Sequence, residues 1–133
     1  MKILLSTLTA CLFLILGSCT PKLYSIDKDL QIKEAFTQKE VPGQEGAKTQ
    51  EYLKVNFSLA NGTTVFIDSV SFRGVTTTIN SASNSLKIRL NATQIKNKTK
   101  SSMEEAILYF TKDQKPFKRT INNVGSKDPI YLP

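Results

Sequence analysis

The segment EYLKVNFSL, residues 51–59, changes from polar to apolar and back almost at every step. Leu53, Val55, Phe57 and Leu59 fall on one side, and Lys54, Asn56 and Ser58 on the other. A period of two suits a half-buried strand, because successive side chains of a strand point to opposite faces. SLKIRLN (85–91) repeats the pattern, with Leu86, Ile88 and Leu90 set against Lys87, Arg89 and Asn91. VTTTI (75–79) is β-branched throughout, and LQIKEAF (30–36) puts Leu30 and Ile32 on one face. EEAILYFT (104–111) is expected to pair across KDQKP with FKRTIN (117–122). No stretch shows helical spacing. About seven short strands, separated by polar turns, predict an all-β fold. The expected form is a single small β-sandwich of immunoglobulin-like architecture. Trp is absent, so the likeness to antibody domains is one of architecture only.

Two local signals refine this reading. Asn61-Gly62 lies between alternating runs, and both residues tolerate the positive φ of a tight hairpin turn. It predicts a hairpin between 51–59 and 63–72. In TTVFIDSVSF (63–72), Val65 and Ile67 share one phase while Val70 and Phe72 share the other. A slip of one residue predicts a bulge near Asp68-Ser69. VPGQEGAKTQ (41–50), NSASN (80–84) and KNKTKSS (96–102) are expected to be loops or turns. Leu53, Val55, Phe57, Ile88, Leu90, Leu108 and Phe110 are the expected core, with Lys54, Lys87 and Arg89 exposed.

The chain has no His and only two Cys, Cys11 and Cys19. A Ser-His-Asp or Cys-His nucleophile arrangement is therefore out of reach. A zinc site would have to rely on carboxylates, which is unusual. No glycine spacing matches a phosphate-cradling loop; GQEG at 43–46 lacks the Lys-Ser/Thr ending. No cofactor and no metal is expected. Glu104 and Glu105 are adjacent, so a strand sends them to opposite faces and they cannot flank one bond as an acid–base pair. Ser25-x-x-Lys28 matches one short motif of penicillin-recognising enzymes, but the accompanying Ser-Asp-Asn and Lys-Thr-Gly are missing.

The N-terminus bears on location. After Met1-Lys2 comes a charge-free apolar run, Ile3 to Gly17. A short basic start and such a run make a secretory signal peptide. At fifteen residues it is shorter than the roughly 20 needed to span a bilayer as a helix. Leu16-Gly17-Ser18-Cys19 resembles the lipobox of bacterial lipoproteins. The resemblance implies cleavage after Ser18 and lipidation of Cys19, and several acyl chains on one residue anchor stably where one would not. The expected organisation is a signal peptide over 1–18, a lipidated tether over 19–29 and a β-sandwich domain over 30–133. Removing 1–18 leaves 133 − 18 = 115 residues, with 17 basic and 11 acidic side chains, a net +6. That is one domain, long enough for a core of its own.

QKEVPGQEGAK (38–48), IDSVSFRG (67–74) and the terminal PIYLP (129–133), with Gly17-Ser18-Cys19 before them, resemble a group of small exported lipoproteins of Bacteroidota. The resemblance implies a lipid-anchored β-sandwich in the cell envelope and carries no activity. Surface-export signals in that group are acidic residues soon after the lipidated Cys. Here none occurs before Asp27, which implies the outer membrane, facing the periplasm.

Two further features have a functional reading. Asp68-Ser69-Val70 resembles an O-glycosylation sequon of such envelope proteins, with Ser69 as acceptor; the alternative is that it only forms the bulge. From Ser69 to Met103 there is no acidic residue and there are six basic ones: Arg73, Lys87, Arg89, Lys96, Lys98 and Lys100. Lys87, Arg89, Lys96, Lys98 and Lys100 are the candidate patch for an anionic envelope lipid or surface, against the plain alternative of a solvated face. Nucleic acid is not an expected partner outside the cytoplasm. The function these observations predict is that of a non-catalytic binding or assembly module, with an envelope protein or anionic lipid as partner. Alternatives are an accessory subunit docking through a sheet edge, and a small enzyme built from carboxylates and Lys.

Overall fold

The structure is a computed structural model. It describes residues 23–59, 62, 64–101 and 103–133. Among the described residues the fold has nine strands and one short helix. They are β1 (Ser25–Ile26), β2 (Gln31–Val41), β3 (Gln50–Ser58), β4 (Val65–Phe72), β5 (Val75–Ser83), β6 (Ser85–Arg89), α1 (Ala92–Lys96), β7 (Glu104–Lys112), β8 (Lys115–Ser126) and β9 (Ile130–Tyr131). The all-β expectation holds, with seven main strands in the order β5-β4-β7-β8-β2-β3-β6.

β8 explains how one sheet makes two layers. Its first part pairs antiparallel with β7, whereas Gly125 and Ser126 at its end pair in parallel with Phe36 and Thr37 of β2. The chain thus folds a three-stranded layer, β2-β3-β6, over a four-stranded layer, β5-β4-β7-β8. The apolar faces meet in one core: Leu53, Val55 and Phe57 from β3, Leu86 and Ile88 from β6, Val65, Ile67, Val70 and Phe72 from β4, Leu108 and Phe110 from β7. All seven residues expected in the core are buried, Leu53, Val55, Leu108 and Phe110 completely. Lys87 and Arg89 point outward and are exposed, as expected. Lys54 also points outward but is half-buried, because Gln38 and Glu40 of β2 accept hydrogen bonds from its Nζ.

The β7–β8 hairpin forms as expected, with Asp113 and Gln114 both at positive φ between the paired residues Lys112 and Lys115. The bulge forms too: pairing of β4 with both neighbours shifts between Ile67 and Ser69. On the β5 side the irregularity includes Asn80 at φ 50°, so NSASN continues the strand through Ser83 rather than making a turn. The tight hairpin at Asn61-Gly62 does not form. β3 pairs with β2 and β6, β4 with β5 and β7, and the segment between β3 and β4 crosses from one layer to the other. Asn61 itself lies outside the described residues. Gly62 uses its freedom at φ 73° and donates its N–H to Leu59 O at 2.9 Å. β3 lies between two strands that complete its ladder on both edges, leaving none for β4.

Two other boundaries move. A helix, α1, fills the gap between the expected strand over 85–91 and the expected loop over 96–102; the Asn91 side chain accepts from Gln94 N–H while Gln94 Oε1 accepts from Asn91 N–H, a capping box. The folded domain also starts before Leu30. Ser25 and Ile26 pair in parallel with Phe117 and Lys118 of β8, and Tyr24 packs edge-on against Tyr109 at 4.9 Å. Asp27 is 3% exposed; it accepts the Leu30 N–H at 2.7 Å and the Lys112 ammonium at 3.2 Å. Residues 24–29 are thus part of the domain, because Asp27 finds its partners there. Residues 1–18 and Cys19 lie outside the described residues.

Strand directions define two ends. β1 and the starts of β2, β4 and β8 lie at one end, with the 113–114 turn. The 42–49 loop, the Arg73-Gly74 turn, residues 90–101 and the C-terminal residues lie at the other. A nine-residue strand such as β7 spans about 30 Å, which sets the separation of the ends.

Candidate functional site

The end remote from β1 is assembled around Arg73. Arg73 and Gly74, at φ 52° and 80°, form the two-residue turn between β4 and β5. The Arg73 side chain is 1% exposed and donates to both carboxylate oxygens of Glu104, Nε at 2.9 Å and Nη2 at 2.7 Å. Nη1 donates to Gln94 O at 3.1 Å, and the guanidinium lies 4.8 Å from the Phe72 ring centre. Gln94, 1% exposed, donates through Nε2 to Phe72 O, and Asn97 Nδ2 donates to Arg73 O. These bonds fix α1 on the rim of the core and set the path of the loop that follows.

That loop forms one wall of a cleft of about 530 Å³. Lys98, Thr99, Lys100 and Ser101 face Val124, Gly125 and Ser126 at the end of β8, with Glu104 at the base. Lys98 also borders a smaller cleft of about 240 Å³ that contains Lys39, Glu51, Lys127 and Asp128. Neither Lys98 nor Lys100 makes an ion pair among the described residues, and the one carboxylate of the larger cleft, Glu104, is taken by Arg73. Two uncompensated ammonium groups beside three hydroxyls, those of Thr99, Ser101 and Ser126, can hold a small anionic group such as a phosphate or sulfate ester.

The expected basic patch divides. Lys87 lies 2.8 Å from Glu40 Oε1 and 4.4 Å over the Tyr52 ring, so β2 supplies it with a countercharge. Lys87 and Lys54 hold Glu40 below the ordinary carboxylate value, the Lys87 hydrogen bond first, against the opposing effect of burial. Arg89 stands exposed on the same outer face, opposite Tyr52. Lys96 ends α1, and only Lys98 and Lys100 join in the cleft. Lys39, Lys127 and Ser126 are neighbours that no local pattern announced, since they come from strands far away in sequence.

Ser69 lies on the outer face of the four-stranded layer, half-exposed at the bulge, between Thr78 and Tyr109. The Asp68 carboxylate accepts from the Thr111 hydroxyl at 3.1 Å. Glu104 is partly buried and Glu105 exposed, in keeping with opposite faces. Ser25 sits in β1, and Lys28 is exposed beyond it. Among the described residues, no three His, Cys, Asp or Glu side chains gather as metal ligands, and no helix is long and apolar enough to cross a membrane. Comparison with known protein families, with curated proteins and with solved structures finds no match for the chain.

Proposed function

We propose that this chain is an exported lipoprotein, anchored through Cys19, whose β-sandwich is a non-catalytic binding module of the cell envelope. Its place is the outer membrane, facing the periplasm. One observation supports the role most: the domain begins at one end, and the unpaired Lys98 and Lys100 sit in a cleft at the other, about 30 Å away. Surface electrostatics decay over roughly 8 Å in physiological salt. The cleft is accordingly directed at an anionic group on a partner standing off the anchoring bilayer. Labelled palmitate should enter the wild type and not Cys19→Ser, which should leave the membrane fraction or remain unprocessed. Equal labelling of both would overturn the anchor.

A second reading, an accessory subunit docking through a sheet edge, has one observation in its favour. β5 pairs only with β4, and among the seven main strands it alone carries no charged residue. Charges are the usual protection of an exposed edge. Placing Lys at Thr76 and Thr78 should abolish co-purification of a partner under this reading and leave it intact under the first.

A further inference from the structure

We infer that the outer face of the four-stranded layer, at its N-terminal end, rests on the bilayer that holds the anchor. This rests on lipidation at Cys19 as proposed above. Register places the residues. Leu108 and Phe110 of β7 point into the core, so Tyr109 points out, and so does its partner Lys118 on β8. Ile26 pairs with Lys118 in parallel and shares that face, and Tyr24 covers Tyr109 from outside. Phe66 lies in the next row, opposite Thr111. Ile26 is 73% exposed and Phe66 42%. Two large apolar groups and two tyrosines therefore stand on one outer sheet face.

The length of chain to the anchor identifies what covers it. Five residue steps separate Cys19 from Tyr24, and five steps reach at most about 18 Å. Tyr24 and Ile26 are thereby held within reach of the headgroups whatever path the intervening residues take. Charge agrees with an anionic bilayer: Lys28, Lys115 and Lys118 lie at this end. The carboxylates near them are mostly engaged. Asp27 and Asp29 pair with Lys112, and Asp68 accepts from Thr111, leaving Asp113 as the exposed carboxylate of the turn. Aromatic rings with polar tips suit the headgroup level of a membrane, and each cation near an anionic leaflet adds to the attraction. Ser69 adjoins Tyr109 on this face, so a glycan there would hold the face off the bilayer; the two readings exclude each other.

The chain has no Trp, so one introduced indole reports alone. The full-length protein, processed and lipidated in a host that makes lipoproteins, is reconstituted into phosphatidylethanolamine–phosphatidylglycerol vesicles brominated on the acyl chains. Phe66→Trp should lose most of its emission relative to unbrominated vesicles, and Ile95→Trp, on α1 at the far end, should keep its own. Ile26→Trp replaces Phe66→Trp should that variant fail to fold. Flotation with the vesicles without quenching at either near position overturns this inference and leaves the anchor standing, as does equal quenching at Ile95→Trp. Absence of flotation and of palmitate label overturns the anchor, and this inference with it. A hexose mass on Ser69 in the purified protein also overturns it.

Discussion

Removing the Glu104 carboxylate tests whether the remote end is held by charge. In Glu104→Ala, Arg73 keeps its hydrogen bond to Gln94 O at 3.1 Å but loses two bonds of 2.9 and 2.7 Å, with its side chain only 1% exposed. Breaking a buried pair by deleting one partner typically costs 3–5 kcal/mol, because a charge is left without compensation. Glu104 borders an open cleft, so water can enter the vacated position, and the loss should lie near the lower limit, about 3 kcal/mol. For a domain of this size, urea sensitivity of about 2 kcal/mol/M converts that to a midpoint lowered by about 1.5 M. Arg73→Met/Glu104→Leu, which removes both charges and keeps the volume, should return to within about 1 kcal/mol of the wild type. Urea denaturation followed by circular dichroism measures both. A loss below about 1 kcal/mol in Glu104→Ala, the value of an exposed pair, would refute the buried-charge argument. So would a double variant weaker than the single one.

Other consequences follow from the core, the titrating groups and the cleft. Phe57, 2% exposed, should cost about 3–5 kcal/mol when cut to Ala; a loss within experimental error in the same urea assay would exclude it from the packed core. Stability should be flat across neutral pH, since there is no His to titrate. It should fall in acid, because the lowered pKa of Glu40 contributes stability above 4.5 that is lost as pH drops through its folded value. It should fall again in strong alkali: burial opposes the Lys112 charge, but Asp29 and Asp27 outweigh it and raise its pKa above 10.5, so its contribution disappears as pH rises past that value. Thermal melts across pH measure all three limbs, and a midpoint that drifts between pH 6 and 8 contradicts this account. Lys98→Gln/Lys100→Gln should weaken retention on a phosphate-bearing matrix and flatten its salt dependence, whereas Lys87→Gln, already neutralised by Glu40, should change neither.

Strand positions were legible in the sequence because burial on one face imposes its period on each strand independently of the rest. The bulge was legible for the same reason: a phase slip at Asp68-Ser69 is a local event. Partner choice was not. Asn61-Gly62 specifies a permissive backbone, which a crossing between layers can use as well as a hairpin can, and the decision belongs to β2 and β6 closing both edges of β3. Charge compensation within the basic stretch was not legible either. A run without acidic residues between 69 and 103 looks uncompensated along the chain, but Glu40 reaches Lys87 across β3 and Glu104 reaches Arg73 from the next strand over. Arg89, Lys96, Lys98 and Lys100 make no ion pair among the described residues, and of these only Lys98 and Lys100, carried on the loop after α1, line the larger cleft.

The early start of the domain at Tyr24 depends on one carboxylate. Asp27 accepts the Leu30 N–H at 2.7 Å and Lys112 Nζ at 3.2 Å, while its own N–H donates to Lys118 O at 2.9 Å. The first two bonds turn the chain from β1 into β2, which lie along different layers. Asp27→Ala removes both acceptors and leaves Lys112 with Asp29, which is 77% exposed and therefore a weak partner. Hydrogen bonds to charged groups contribute about 1.5–3 kcal/mol each, so β1 should detach while the sandwich stays folded. Detachment lengthens the free segment after Cys19 to Leu30, eleven residue steps, with a reach of about 36–40 Å. That is enough to release the domain from any fixed orientation at the bilayer. Hydrogen exchange reads this directly: the amides of Asp27 and Leu30 should be protected in the wild type and exchange freely in the variant, with β3 and β7 unchanged. If the residue-27 amide stayed protected in Asp27→Ala, strand pairing with β8 alone would hold the segment, and the carboxylate would have no part in setting the length of the tether.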